Sequence, residues 1–274
     1  MQLELKKFDI SEINPDSVVV FIGKRRTGKS FLVKDILFYH QDIPIGAVIS
    51  PTESANKFFG SIIPSLFIHD EYTPAVIDNV VKRQRLVKKK AVKEKMKTGK
   101  TRIDPRAFLI LDDCMFDQSW VRDKNIRYLF MNGRHVDVFL LITMQHVLGI
   151  PPNLRTNVDY VFIMRENIIK NRRKIHENFC GMVTFEAFEE IMNQCTENYE
   201  CLVVKNNAES NKIEDQLFWY KAEDHGEFRV GAKEFWDAHD ENCNDDSDEE
   251  ENIDINTLRH RKKGPHLKIK KTLY

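Results

Sequence analysis

Residues 23–30 read Gly-Lys-Arg-Arg-Thr-Gly-Lys-Ser, a pattern suited to gripping a run of phosphates. Gly23 and Gly28 let the backbone curl until its N–H groups point inward, and Lys24, Arg25, Arg26 and Thr27 supply the amides between them. Lys29 brings a cation to the β- and γ-phosphates, and the Ser30 hydroxyl is placed to ligate Mg²⁺. A helix starting here adds the partial positive charge of its N-terminus. Such a pattern also arises by chance, so its meaning depends on a strand before it and a helix after it.

Asp112 and Asp113 close the apolar run Phe108-Leu109-Ile110-Leu111. At the end of a parallel strand beside the loop, Asp112 would reach the Mg²⁺ water shell next to Ser30. Asp113 would then polarise the attacking water. Gln145 follows another apolar run, 138–144, where its amide would touch the γ-phosphate or that water. Arg134, just past Gly133, and Arg155, after Pro151-Pro152, are alternative candidates for a cation that reaches a neighbouring subunit's nucleotide. His176 and Cys180 fall one helical turn apart, but two ligands do not make a metal site.

The surrounding pattern supplies the context that the loop requires. Residues 17–22, Ser-Val-Val-Val-Phe-Ile, form a continuous β-branched apolar run, as expected of a strand buried on both faces of a parallel sheet. Phe31, Leu32, Ile36 and Leu37 then recur at helical spacing. Further strands are predicted at 45–50, 66–69, 107–111, 138–144 and 158–164, with a terminal antiparallel pair at 201–204 and 216–220. Pro74 opens a long helix that runs towards Gly99. One helix is expected over 119–131, with Asn132-Gly133 as its C-cap, and two more near 167–178 and 184–195. Short strands alternating with helices imply an α/β fold, a mainly parallel sheet with helices on both faces.

The 42 basic and 42 acidic side chains cancel, but they are segregated. Residues 82–102 are strongly basic, 240–254 strongly acidic and 259–271 basic again. The reading is an ATPase domain over 1–239, carrying a basic helical insertion at about 82–102, and a charged tail, 240–274, too poor in apolar residues to join a core and expected to be disordered. Residues 82–102 contain almost no aromatics, which favours phosphate contact without base reading and competes with a merely solvated face. The five cysteines form no Cys-x-x-Cys pair, consistent with free thiols in a reducing compartment. The N-terminal residues lack an apolar signal region, and no apolar run approaches the ~20 residues of a membrane span. A soluble intracellular protein is expected.

Together, the loop, the Leu-Asp-Asp-Cys strand end, Asn-Gly-Arg-His, Thr-Met-Gln and Pro-Pro-Asn-Leu-Arg-Thr-Asn-Val-Asp occur in this order. This set resembles the poxvirus-type DNA-packaging ATPases of the nucleocytoplasmic large DNA viruses, within the FtsK–HerA superfamily of DNA pumps. The resemblance covers 17–164 with specific motifs and extends more loosely to 220. It implies a RecA-like P-loop NTPase core that acts as a homo-oligomeric ring, hydrolyses ATP with Mg²⁺ and moves double-stranded DNA of any sequence into a capsid. A capsid or virion membrane protein would be a docking partner, and the virion and the cytoplasmic viral factory the location. By the same resemblance Lys29 and Ser30 hold nucleotide and Mg²⁺, Asp112 and Asp113 form the second acidic motif, Gln145 is the sensor and Arg134 the arginine finger. The Asp-Asp pair departs from the Asp-Glu usual in the superfamily. Two rivals are a nucleotide kinase, which would need an arginine-rich lid where this chain has a lysine-rich helix, and a nucleotide-dependent scaffold of virion assembly, against which the acidic pair weighs.

Overall fold

A computed structural model describes residues 3–114, 119–145 and 150–245. The chain divides into two units, Met1–His239 and Asp240–Tyr274. Of the second, residues 240–245 are described, so the expectation for the rest of the charged tail lies outside the described residues.

Five apolar runs become the parallel heart of an eight-stranded sheet: β1 Val18–Ile22, β2 Gly46–Ile49, β4 Ala107–Leu111, β5 Val138–Met144 and β6 Tyr160–Ile163. The short β3, Ile68–His69, extends one edge, and the antiparallel pair β7 Glu200–Lys205 and β8 Leu217–Lys221 extends the other. The order is β3-β2-β4-β5-β1-β6-β7-β8, a RecA-like arrangement. The sheet is apolar on both faces because both are covered. Val19 and Phe21 face helix α1, Lys29–Phe38, through Leu32, Val33, Ile36 and Leu37. Val18, Val20 and Ile22 face the opposite core, built by helices α3 Pro74–Thr98, α5 Lys124–Asn132, α7 Ile169–Phe179 and α8 Phe185–Cys195. The remaining helices, α2 Glu53–Asn56, α4 Ser119–Arg122 and α6 Pro152–Arg155, are single turns, and α9 spans Lys233–Asp245.

Two expectations change. The helix over 119–131 is broken, because the Asp123 carboxylate accepts from the amides of Asn125 and Ile126 and caps α5 as a new start. Gly133 is not a left-handed cap: its φ is −53°, and the chain runs on through a 3-10 turn, Gly133–Val136. The left-handed residue is Asp137, φ 53°, a type whose short polar side chain tolerates that region.

Pro74 opens α3 as expected, and Ile77, Val81 and Gln84 are buried. The Gln84 amide donates to the carbonyls of Pro105 (2.6 Å) and Val136 (2.8 Å), at the entrance to β4 and β5. Beyond Gln84 only Ala91 is buried, and Leu86, Val92 and Met96 are exposed among the lysines. Helix α3 is therefore half core element and half basic arm.

The core also holds Asp35, which is 1% exposed. Its carboxylate accepts from the Tyr220 hydroxyl (2.8 Å) and the Glu223 amide (3.1 Å) and lies 2.6 Å from His225 Nε2. The far end of the domain is thereby tied to the helix that follows the phosphate loop.

Gly46 is aligned with Phe108 on β4, and a Cβ there would stand 2.2 Å from the Phe108 ring, which is fully buried. Gly46→Ala should overpack this contact at a cost of about 1–3 kcal/mol. Thermal unfolding should fall by about 2–10 °C, and an unchanged melting temperature would show that the ring moves aside freely.

Candidate nucleotide site

The site forms where β1, β4 and β5 end side by side, outside the carboxyl edge of a parallel sheet, where such folds bind ligands. Ile22 is aligned with Met144, and the Gly23 amide donates to the Met144 carbonyl at 3.0 Å. Gly23 has no room for a side chain: a Cβ would come within 2.6 Å of Thr27 Oγ1 and 2.7 Å of Met164 Cβ. Arg26 and Gly28 are left-handed, with φ of 63° and 94°, which closes the loop before α1 begins at Lys29. The Thr27 hydroxyl (2.8 Å) and the Lys29 ammonium (3.1 Å) both donate to the Lys24 carbonyl. Arg25 and Arg26 are exposed.

The Lys24 side chain turns away from the loop's interior and pairs with Glu166 at 2.6 Å. Glu166 also accepts from the Ile168 amide (2.8 Å) and Asn171 (3.0 Å). Burial works against its charge, but Lys24 and these donors hold the carboxyl below its usual range. Lys24 thus contributes its backbone to the loop and uses its charge to anchor it.

Asp112 and Asp113 stand opposite Lys29 and Ser30. Asp112 is 5% exposed. It accepts from Thr143 Oγ1 at 2.8 Å, Ser50 Oγ at 3.2 Å and Ser30 Oγ at 3.4 Å. Thr143 in turn accepts from the Asp113 amide at 3.0 Å, so one buried hydroxyl orders both acids. Burial pushes the Asp112 carboxyl up and the Asp113 charge adds to this, against the pull of Thr143, Ser50 and Lys29. Burial likewise pushes Lys29 down, opposed by Asp113 and Asp112. Asp113 adopts a left-handed φ of 46°. Its Oδ1 lies 3.8 Å from Lys29 Nζ, is buried and has no hydrogen-bond donor among the described residues, while Oδ2 accepts from Gln145 at 3.2 Å.

These groups suit Mg²⁺, a hard cation that takes oxygen ligands and usually keeps waters and phosphate oxygens in its shell. Among the described residues no three His, Cys, Asp or Glu side chains converge to cage a metal by themselves. Ser30 and Asp112 would hold the ion together with a phosphate ligand, and the ion would neutralise charge on the terminal phosphates. Asp113 thus turns one oxygen to the Lys29 ammonium and the other to the Gln145 amide. His176 and Cys180 do not meet in a site, since His176 Nε2 lies 2.7 Å from the Val183 carbonyl and the Cys180 thiol is buried.

Lys29, Ser30, Asp112, Asp113 and Gln145 are therefore brought together, and the two arginines are not. Arg134 lies in the turn before β5, at the opposite edge of the sheet, paired with Asp159. Asp159 is buried and also accepts from the Val18 amide at 2.8 Å, where β1 begins. Arg155, on α6, bonds Asn178 near the end of α7. The sequence reading gave no role to Ser50, Thr143, Glu166 or Asp159, although Thr143 and Asp159 stand inside its quoted motifs. Thr143 left a signal, a polar residue inside the apolar run 138–144 that must find partners when buried. Ser50 and Glu166 left none, because polar residues at strand ends are ordinary.

The chain is 39% identical over 240 residues to Uncharacterized protein L437 of Acanthamoeba polyphaga mimivirus, covering 87% of this chain and 84% of that protein. It is 36% identical over 248 residues to Uncharacterized protein 075L of Invertebrate iridescent virus 6, covering 85% and 92% respectively. Among solved structures, the genome packaging NTPase B204 from Sulfolobus turreted icosahedral virus 2, in complex with AMP, superposes with a TM-score of 0.52 at 18% identity, over 77% of this chain and all of that one. No protein-family model matches the chain.

The two acids should separate in function. Asp113→Asn is expected to keep binding Mg²⁺ with a nucleoside triphosphate yet release phosphate ~10²–10⁴-fold more slowly. Asp112→Asn is expected chiefly to raise the Mg²⁺ concentration needed for turnover. Magnesium titration of phosphate release on both variants measures this, and normal turnover by Asp113→Asn would remove its assignment.

Proposed function

The chain belongs to one family with protein L437 of Acanthamoeba polyphaga mimivirus and protein 075L of Invertebrate iridescent virus 6, and we propose that it is an ATP-driven DNA pump of the poxvirus-type DNA-packaging ATPases, within the FtsK–HerA superfamily, whose motifs its own resemble. The reaction is hydrolysis of ATP with Mg²⁺, coupled to movement of double-stranded DNA into a capsid. The observation that carries it is Asp112 beside Ser30, with Asp113 facing Lys29: a phosphate loop set against two acids, one hydrogen-bonded to the hydroxyl that would ligate the metal and one paired with the loop lysine. In this reading Lys29 and the loop amides bind the phosphates, Ser30 and Asp112 the ion, Asp113 the attacking water, and Gln145 senses the γ-phosphate. A kinase would need a lid over a phosphate acceptor. A non-hydrolysing scaffold would have no use for a second acid facing Lys29.

The geometry of Arg134 supports a ring. At the edge remote from its own loop it can serve as a finger only for a neighbour, and Asp159 holds it there. No helix among the described residues is long and apolar enough to cross a membrane; a capsid or virion membrane protein is proposed as the docking partner. The basic arm of α3 is the surface offered to DNA.

The reading is tested by phosphate release with and without duplex DNA. Duplex of any sequence should stimulate it and nucleoside monophosphates should not, and the reverse result would favour a kinase. Neutralising Lys88, Lys89, Lys90 and Lys93 should flatten the slope of log affinity against log salt by about one unit per lost phosphate contact. An unchanged slope returns this arm to solvated surface.

Arg134→Ala should bind ATP normally but hydrolyse it ~10³–10⁵-fold more slowly. Mixed with Lys29→Ala, it should regain activity at interfaces that pair an intact loop with an intact Arg134. Rescue for Arg155→Ala instead would move the role to Arg155.

A further inference from the structure

On the side of β1 away from the acids, a cavity of about 330 Å³ opens against Thr27 and Gly28 of the phosphate loop. Its walls are apolar: Phe31 and Leu32 from α1, Met164 after β6 and Ala222 after β8. Tyr199 stands over it, 73% exposed, with its ring edge 3.6 Å from where a Gly28 Cβ would lie. Asn198 and Tyr199 are successive left-handed residues, φ 51° and 65°. That is a costly conformation for a bulky side chain, of the kind found where a fold holds a residue in place for use.

The polar side chains at the cavity are already committed or lie at its rim. The Thr27 hydroxyl donates to the Lys24 carbonyl and the Cys201 thiol to the Tyr220 carbonyl (3.4 Å). Lys221 is exposed. A ligand whose phosphates lie on the loop would extend its base into this space, meeting faces of aromatic and apolar groups and few edge-reading partners. Sites that hydrogen-bond a substrate group discriminate by about 10⁴–10⁵, whereas stacking is tolerant because every base has a π-face.

The geometry points to a base pocket that holds the nucleobase by its faces against Tyr199, so that the substrate class is nucleoside triphosphates in general and not ATP alone. This rests on the reading of residues 23–30 as a triphosphate site. Binding of non-hydrolysable ATP, GTP and CTP analogues to the full chain, followed by displacement of a fluorescent nucleotide, tests it independently of turnover. The three affinities should agree within about ten-fold. Tyr199→Ala should weaken all three about ten-fold, and Tyr199→Phe should restore them. An ATP analogue preferred more than about 100-fold, or unchanged affinities in Tyr199→Ala, would overturn the inference while leaving the triphosphate site standing. If all three bind alike but none of the parent triphosphates is hydrolysed, the pocket stands and the ATPase reading falls. Binding of none removes both.

Discussion

Burying the carboxylate of Asp112 is the demand that the rest of the site answers. A charge in that position is costly without compensation, and the protein meets it with three hydroxyls from three elements. Ser30 comes from the start of α1, Ser50 follows β2 and Thr143 lies within β5. Even with these donors, burial leaves the carboxyl pushed up. The same hydroxyl of Thr143 fixes the backbone of Asp113 in its left-handed turn, so the geometry of the second acid follows from the solvation of the first.

This arrangement divides the sheet by function. Its carboxyl edge carries the phosphate loop, both acids and Gln145, while its amino edge carries Arg134, Asp159 and the root of the basic arm. The strand β1 belongs to both: its first amide is held by Asp159 and the residue after its last enters the loop. Gly23 and Gly46 show how tightly the two edges are packed, since each sits where a single methyl would collide with a neighbour.

Much of the fold was legible because buried parallel strands write themselves as continuous apolar runs. Residues 17–22, 107–111 and 138–144 lie within a residue of β1, β4 and β5. The break at Asp123 was not legible, because the apolar period of Trp120, Ile126 and Phe130 continues across it while a side-chain cap interrupts the backbone. Of the site, the loop and the acid pair could be read from spacing. Ser50 and Glu166 could not, since their meaning lies in which side chains they face, and Tyr199 is marked only by a backbone conformation. The basic run 82–102 concealed that its helix begins in the core at Pro74.

The pairing of β1 also bears on how the molecule is made. Val18 has no sheet partner close in sequence: it is aligned with Leu140, and Val19 with Tyr160. At a synthesis rate of about 5–20 residues per second, the segment carrying residues 23–30 waits many seconds for both of its flanking strands. The nascent chain therefore exposes a sticky apolar pentapeptide, Val18–Ile22, without the framework that gives it purpose. Topologies dominated by such distant pairings fold slowly, and this one leaves its ligand grip unassembled until β5 and β6 have both left the ribosome.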